Sequence, residues 1–439
     1  MQKPSAVALG ARQKILIIGA GGGREHALGW KIAQSPQCGQ IFFAPGNAGT
    51  LKLGINVDIK TVDIPKLIEF AKKENIDLTL AASDGVLATD LVEEFRKANL
   101  RIWGPTKAAA HLEWSKTFSK DFMYKHNLPT AKFKIFNKFE EAKDYISRQS
   151  FPIVIKADGL AFGKGVIIAQ NIEEANTALE EIMVKKIFGD SGNEVVIEEF
   201  LIGHEISIHA LSDGSNYKIF PSSQDHKRIF EGDKGPNTGG MGVIGPLPFV
   251  SGEMMERIEK EVIAPTLKGM MDDGVPFEGI LYPSLMLTKD GPKIIEFNTR
   301  FGDPECQVYM RLLDTDLLAI LNACVDKKLN EQEIKWKNVS ACNIALASGG
   351  YPENYEKGKI ITGIDEAEMQ PDIVVFHAGS KMENGKLVTS GGRVLGVSAI
   401  GNSLEEALAK AYKAIEKISF RGMQYRKDIG QSALKTEKI

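Results

Sequence analysis

The segment Lys293-Ile-Ile-Glu-Phe-Asn-Thr-Arg-Phe-Gly-Asp-Pro-Glu305 carries the densest set of groups able to do chemistry. Alternate side chains of an extended strand share a face, so Glu296, Asn298 and Arg300 are expected to project together while Ile295 and Phe297 face the core. A carboxylate and an amide oxygen two residues apart are hard ligands, suited to a divalent cation that also binds phosphates. Arg300 is no metal ligand, but its guanidinium can neutralise a transferring phosphoryl group. The competing reading is an edge strand with a polar outer face, which leaves the apolar inner face unexplained.

Glycine loops supply the second set. Lys156-Ala-Asp-Gly-Leu-Ala-Phe-Gly-Lys-Gly165 joins two apolar runs, so it reads as a hairpin loop. It is no P-loop, because Gly165 follows Lys164 where Ser or Thr is needed. Lys156 at a strand end and Lys164 on the loop can close over a triphosphate, and Gly163 and Gly165 let the backbone fold down on it. A solvated hairpin tip is the alternative. Gly19-Ala-Gly-Gly-Gly-Arg24 sits between a strand and a helix start, where Gly22 and Gly23 amides can face a phosphate. Arg24 replaces the third glycine of a dinucleotide fingerprint, so that reading is weak, and a tight turn without ligand competes with it. Pro45-Gly-Asn-Ala-Gly49, with Gly46 and Asn47, ends the next strand and would face the same crevice.

Two polar stretches remain. Glu194-Val-Val-Ile-Glu-Glu-Phe-Leu-Ile-Gly-His-Glu205 is acidic, and half of it reads equally well as a solvated strand face. Residues 222–245, including Asp225, His226, Lys227, Arg228 and Asn237, are too long for a tight turn, and such loops are functional or disordered. A lone histidine is more often structural than catalytic, so His226 is not read as a general base.

The elements that must position these groups alternate at first. Strand-like runs Lys14–Ile18, Ile41–Phe43 and Asp77–Leu80 interleave with helical ones at Arg24–Gln34, Ile64–Glu74 and Asp90–Ala98. That order predicts a doubly wound parallel sheet over roughly the first 110 residues. A helix over Ser115–His126 follows, then Gly252–Met271, a hairpin of Gly279–Thr288 with Lys293–Asn298, and a strand-rich tail closed by a helix at Ser403–Ile418. The 439 residues carry 54 Lys and Arg against 57 Asp and Glu, a balance that argues against a nucleic-acid binder. No apolar run approaches the ~20 residues of a membrane span. Cys38, Cys306, Cys324 and Cys342 lie far apart, so reduced, mainly buried thiols are expected. Residues 1–13 read as a flexible extension.

Taken together, these stretches resemble the ATP-grasp ligases and, within them, the glycinamide ribonucleotide synthetase (phosphoribosylamine–glycine ligase) family. The matching residues run from Gly22–Leu28, Ala44–Thr50 and Gly104–Thr106 through Ile155–Leu160, Gly163–Val166, Ile197–Leu201 and Gln224–Arg228. They continue with Gly235-Pro-Asn-Thr-Gly-Gly-Met-Gly242, Glu296–Asn298, Arg300–Glu305, Gly391–Leu395 and Arg426–Gly430. The resemblance spans Lys14 to about Gly430. It implies an α/β multi-domain chain: an N-terminal doubly wound parallel sheet at 14–115, a two-lobed α+β ATP-grasp domain at 116–335 with a small lid lobe at about 130–200, and a strand-rich C-terminal domain at 336–439. With the chain ending at Ile439, no fused downstream purine enzyme is expected.

The resemblance also implies a reaction: ATP phosphorylates glycine, and 5-phosphoribosylamine attacks the glycyl phosphate to give glycinamide ribonucleotide. By the same resemblance Lys116 and Lys156 would contact phosphates. The backbone near Glu198, Phe200 and Leu201 would hold adenine, and Glu205 the ribose. Glu296 and Asn298 would bind Mg²⁺ or Mn²⁺, with Arg300 and Lys164 catalytic. The phosphoribosyl substrate would fall near Gly22, Gly23, Gly46, Asn47 and Asp225–Arg228, with Asn237 and Asp303 also on substrate. A cytoplasmic monomer or small homo-oligomer, without nucleic-acid or membrane partners, is implied. Three stretches depart from the family pattern: Ala82-Ser-Asp-Gly-Val-Leu87 for Gly-Pro-Glu-Ala-Pro-Leu, the extra residue in Gly19–Gly23, and Tyr282-Pro-Ser284 for Tyr-Ala-Gly. They leave open a ligase for another amine, and beyond it a nucleotide-dependent binding protein, against which the retained Lys164, Glu296, Asn298 and Arg300 argue.

Overall fold

The computed structural model describes residues 12–159 and 165–438. Lys164 and Gly163 therefore lie outside the described residues, as does nearly all of the expected N-terminal extension. The first sheet is parallel, in the order Ile55–Asn56, Cys38–Ala44, Gln13–Ile18, Leu78–Ala81, Ile102–Trp103. Ile15, Leu16, Ile17 and Ile18 are all buried, as a central strand covered on both faces requires. The helix Ile64–Glu74 shows why the local pattern was readable. Asp63 caps it by accepting from the Lys66 amide, Pro65 occupies its first turn, and Asn75 ends it in the left-handed region at φ 54°.

The next unit is a four-stranded antiparallel sheet in the order Phe133–Phe136, Val195–Glu199, Ile153–Ala157, Val166–Ala169. It packs on helices Phe139–Ile146 and Ile172–Leu179 around its own core of Ile146, Ile155, Leu179, Ile182 and Ile197. The expected hairpin around residues 157–165 is therefore present.

A second antiparallel sheet is organised by the long strand Glu278–Thr288, which pairs with His204–Ser207, Ala210–Asp213 and Gly291–Asn298. Its pairing with the last of these contains a bulge. Ser284 faces Glu296 and Leu285 faces Ile294, so Ile295 is the extra residue. The bulge corrects the strict alternation expected from the sequence. Ile294 and Phe297 are buried, while Ile295 is only half-buried.

Residues 222–245 are not a structureless loop. They contain Gln224–Asp225, the hairpin Arg228–Phe230 with Lys234–Asn237, and Gly242–Gly245. Two of these strands extend the C-terminal sheet, whose order is Gln224–Asp225, Gly242–Gly245, Ser340–Ala347, Arg393–Gly401, Ile373–His377. The helix Leu404–Ile415 covers it. The largest core runs continuously from Phe122 and Leu281 to Ile344 and Leu408, so this sheet and the large lobe share one interior.

Candidate active site

Glu296 and Asn298 sit at the end of the strand Gly291–Asn298, facing a ring of cations. Burial alone would raise the Glu296 pKa. Lys227, Lys156, Lys116 and Arg300 outweigh that cost and hold the carboxyl below its ordinary range. Among the described residues nothing hydrogen-bonds or ion-pairs with this carboxylate. An ionised, uncommitted carboxylate beside an amide oxygen is a fitting pair for a divalent cation. No group of three or more His, Cys, Asp or Glu among the described residues could hold one alone. Two protein oxygens completed by phosphate suit Mg²⁺-like ions, which favour shared coordination over an all-protein cage.

Arg300 is fixed around this pair. Its Nη2 donates to Asn298 Oδ1 (3.1 Å) and lies 2.9 Å from Glu113 Oε1. Glu113 is itself anchored by the Thr299 amide (2.7 Å) and hydroxyl (2.9 Å). Arg300 Nε is buried with no partner among the described residues, a donor left for a ligand. Glu113 was not singled out from the sequence, because a lone acid at a helix end carries no motif.

The lysines come from three elements. Lys116 opens the helix Lys116–Lys125, which Ser115 caps, and its ammonium donates to Gly159 O (2.8 Å). Asp158, on the glycine-rich hairpin, accepts from the Thr117 amide (3.0 Å), so the hairpin docks on that helix start. Lys156 donates to Ile295 O (3.0 Å), the carbonyl of the bulge residue, and lies 3.0 Å from Glu198 Oε1. The Gly165 carbonyl accepts from the Ala157 amide. Phe200 and Leu201 lie in the link between Val195–Glu199 and His204–Ser207, and Phe200 is exposed. Glu205 accepts from Ser284 Oγ (2.9 Å) and pairs with Lys227. Burial would lower the Lys227 pKa, but Glu205, Glu296 and Asp225 raise it.

Asp225 adjoins this group. No described residue hydrogen-bonds to either of its oxygens, and Oδ1 is buried. Burial raises its pKa well above the usual range, and Glu305 adds to that. Gly240, at φ +113°, admits it: a Cβ there would lie 2.5 Å from Asp225 Oδ1. Glu305 accepts from the hydroxyls of Tyr282 and Ser207.

On the N-terminal side the expected arrangement is modified. Gly22 and Gly23 lie at the helix start Gly23–Ile32, but the Gly22 amide donates to Glu25 Oε2 (2.7 Å) and the Arg24 amide to Asp303 Oδ2 (3.3 Å). Of the two amides on which the phosphate reading rests, that of Gly22 already serves a carboxylate. The Asn47 amide group donates to Gly21 O and His377 O, and its Oδ1 accepts from the Gly49 and Thr50 amides. Gly46 is at φ +77°, against Asn56 and Thr50. Asn47 thus ties the two glycine loops to the C-terminal sheet with its side chain fully committed.

His226 is likewise committed. Its Nδ1 donates to Gly242 O and its Nε2 accepts from the Gly430 amide, so the buried ring is neutral with both nitrogens taken by backbone. Arg228 donates across its own hairpin to Gly235 O, opposite Asn237 in register. Asp303 accepts from Gln307 Nε2 (2.8 Å) and lies 3.6 Å from Arg393 Nη2. Arg393 and Arg24 hold it ionised against burial. Arg24 also lies 3.8 Å from Asp84 Oδ1. Burial works against ionisation of Asp84, but Arg300 and Arg24 outweigh it, so the shortened acid of the Ala82–Leu87 stretch still faces the cleft cations. Arg24 and Arg393 stood within recognisable stretches of sequence, but only their tertiary partners mark them as site residues.

An antiparallel lobe with its own core beside a carboxylate–amide strand, with lysines on both sides of the cleft, is the arrangement of the ATP-grasp class. A Campylobacter jejuni biotin carboxylase structure shares this fold at a TM-score of 0.74 and 15% identity, over 97% of this chain and 96% of that one. The match to the phosphoribosylglycinamide synthetase domains is more specific: the N domain over residues 13–113, the ATP-grasp (A) domain over 114–306 and the C domain over 341–432. The chain belongs to the phosphoribosylglycinamide synthetase family. It is 49% identical to a phosphoribosylamine–glycine ligase of Vibrio parahaemolyticus, over 97% of this chain and 99% of the relative. A Clostridium acetobutylicum protein of the same name is 48% identical over 95% and 100%. The crystal structure of the Thermotoga maritima phosphoribosylamine–glycine ligase superposes with a TM-score of 0.82 at 37% identity, covering 94% of this chain and 99% of that one.

Proposed function

We propose that the chain ligates glycine to 5-phosphoribosylamine, using ATP and passing through glycyl phosphate, to give glycinamide ribonucleotide, ADP and phosphate. The observation that carries this reading is Glu296, kept ionised and uncommitted by Lys227, Lys156, Lys116 and Arg300. Such a ring suits in-line transfer of a γ-phosphoryl, where catalysis is positioning and charge neutralisation. Glu296 and Asn298 would hold Mg²⁺ or Mn²⁺, which supplies neutralisation of phosphate charge. Lys116 and Lys156 bind phosphate oxygens. Arg300, steadied by Glu113, offers its free Nε–H to the transferring group. Lys164, with Gly163 and Gly165 beside it, closes over the nucleotide, while the backbone at Glu198, Phe200 and Leu201 takes adenine and Glu205 the ribose.

The amino acid needs a partner for its ammonium, and Asp225, whose oxygens bond to no described residue, meets that need: burial favours its protonated form, and an arriving ammonium favours the carboxylate. The amine then attacks the acyl carbon, the acyl–phosphate C–O bond breaks and phosphate leaves. The phosphoribosyl group lies toward the Gly22–Gly23 and Gly46–Asn47 loops, with Asp303 between the domains. The domain limits taken from the resemblance, at about 115 and 335 with the lid at 130–200, are part of the same proposal. So is a cytoplasmic monomer or small homo-oligomer; four unpaired cysteines, three of them buried, support a reducing compartment. Among the described residues no helix is long and apolar enough to cross a membrane.

The altered Ala82–Leu87 stretch, with Asp84 on Arg24, favours a second reading in which a different amine is the acceptor. One assay decides. ADP release is measured with glycine and freshly generated phosphoribosylamine, each omitted in turn. Dependence on both supports the proposal, turnover with another amine alone supports the second reading, and no turnover with tight ATP binding would leave a binding protein.

A further inference from the structure

The reaction as derived uses Lys116 and Lys156 and gives no part to Lys120, one turn further along the same helix. Lys120 is 2% exposed. Its ammonium donates to Thr130 Oγ1 (2.6 Å) and lies 3.2 Å from Glu198 Oε1. Lys156 Nζ lies 3.0 Å from that same oxygen. The Thr130 hydroxyl in turn donates to Ile294 O (2.7 Å), next to the bulge carbonyl that Lys156 holds. Two buried ammonium groups therefore share one carboxylate, on three elements that meet where the small lobe joins the large one.

The charge count matters. A buried Lys156–Glu198 pair by itself would be neutral, and its field in the cleft would largely cancel. A second ammonium on the same carboxylate leaves this trio with one net positive charge. The ionised Glu296 acts on both lysines and offsets part of it, and a polyanionic ligand would offset the rest. Burial already pulls Lys120 down to a pKa of about 8.

We propose that Lys120 is a positioning residue for nucleotide binding: by taking a share of Glu198 it leaves Lys156 with charge to offer the phosphates. This rests on the nucleotide site proposed above. The test is calorimetric titration of the full chain with the β,γ-imido analogue of ATP in Mg²⁺, at several salt concentrations. Lys120→Met keeps the volume and removes the charge. It is expected to bind the analogue at least fivefold more weakly, with a shallower dependence of affinity on salt. Lys120→Arg keeps the charge and is expected to stay within threefold of the parent. A smaller loss in Lys120→Met, an unchanged salt dependence, or an equal loss in Lys120→Arg (the signature of packing alone) overturns the proposal. Lys120→Gln makes the same comparison if the methionine variant does not fold. A parent chain that binds no analogue overturns the nucleotide site itself, and this inference with it.

Discussion

Glu296 and Asp225 are carboxylates in one cleft, driven in opposite directions by their neighbours. Four cations hold Glu296 ionised. Asp225 is buried beside Glu305, with only Lys227 and Arg393 pulling the other way, and its pKa rises. Different roles follow from different environments. Replacing Glu296 with Ala removes the acid that a divalent cation needs, so turnover is expected to fall by about 10³-fold or more; a near-normal rate would refute the metal assignment. Asp225→Asn keeps the shape and removes the acid that would ionise against an arriving ammonium. A charged hydrogen bond contributes ~1.5–3 kcal/mol, so KM for glycine should rise about 10- to 100-fold while KM for ATP stays within about twofold. A parallel rise in both constants would assign Asp225 to general folding of the cleft instead.

Elements carry information that single residues do not. The helix Gly23–Ile32 meets the strand Ile373–His377 through two buried imidazoles. His26 Nδ1 accepts from the His377 amide (2.8 Å), which requires His26 to be neutral. Burial lowers His26 to about 3 and His377 to about 4, each from an ordinary value near 6.5. Both folded values lie below the unfolded ones, so the unfolded chain takes up protons first. Their stabilisation is complete above pH 6.5 and is lost as pH falls toward the folded values. Each histidine contributes about 1.4 kcal/mol per pH unit to that slope. His26→Gln should therefore reduce the pH dependence of the urea midpoint between about pH 6 and 4.5 by roughly one proton's worth. Equal slopes in parent and variant would show that this contact does not titrate as described. At the bulge in Gly291–Asn298 the same lesson applies. One extra residue turns Ile295 out of the core and hands its carbonyl to Lys156, linking the Glu296 strand to the small antiparallel lobe.

At the scale of the whole molecule, the small antiparallel lobe proposed as the lid and the body are built differently. The strands of that lobe have a core of their own, whereas the large lobe and the C-terminal sheet share one. A unit with a separate core can open and close as a body. Saturating nucleotide at 100 times its Kd stabilises the bound form by about 2.7 kcal/mol. Hydrogen exchange in Ile153–Ala157 and Val195–Glu199 should slow accordingly, while the helix Ile64–Glu74 should be little affected. Uniform slowing across the chain, or none, would argue against nucleotide closing the lid on the body. The N-terminal loops, by contrast, are locked from both sides. Asp303, itself paired with Arg393, accepts from the Arg24 amide, and Asn47 reaches back to His377 O.

How much of this was legible depended on the range of the forces involved. Alternating strand and helix patterns, the Asp63–Pro65 helix start, the hairpin at Gly279–Asn298 and the Glu296–Asn298–Arg300 spacing follow from local backbone preference and side-chain periodicity, so the chain alone determined them. The fate of Gly22, Asn47, His226 and Arg228 did not follow from spacing. Gly22, Asn47 and His226 spend hydrogen-bonding groups on backbone or a carboxylate, and Arg228 gives one donor to its own hairpin. Glu113 on Arg300, Lys120 on Glu198 and Arg393 on Asp303 are pairs 187, 78 and 90 residues apart in sequence. No local pattern encodes such pairs, because charge and burial act through space, and only the tertiary structure decided which carboxylates stay free for substrate.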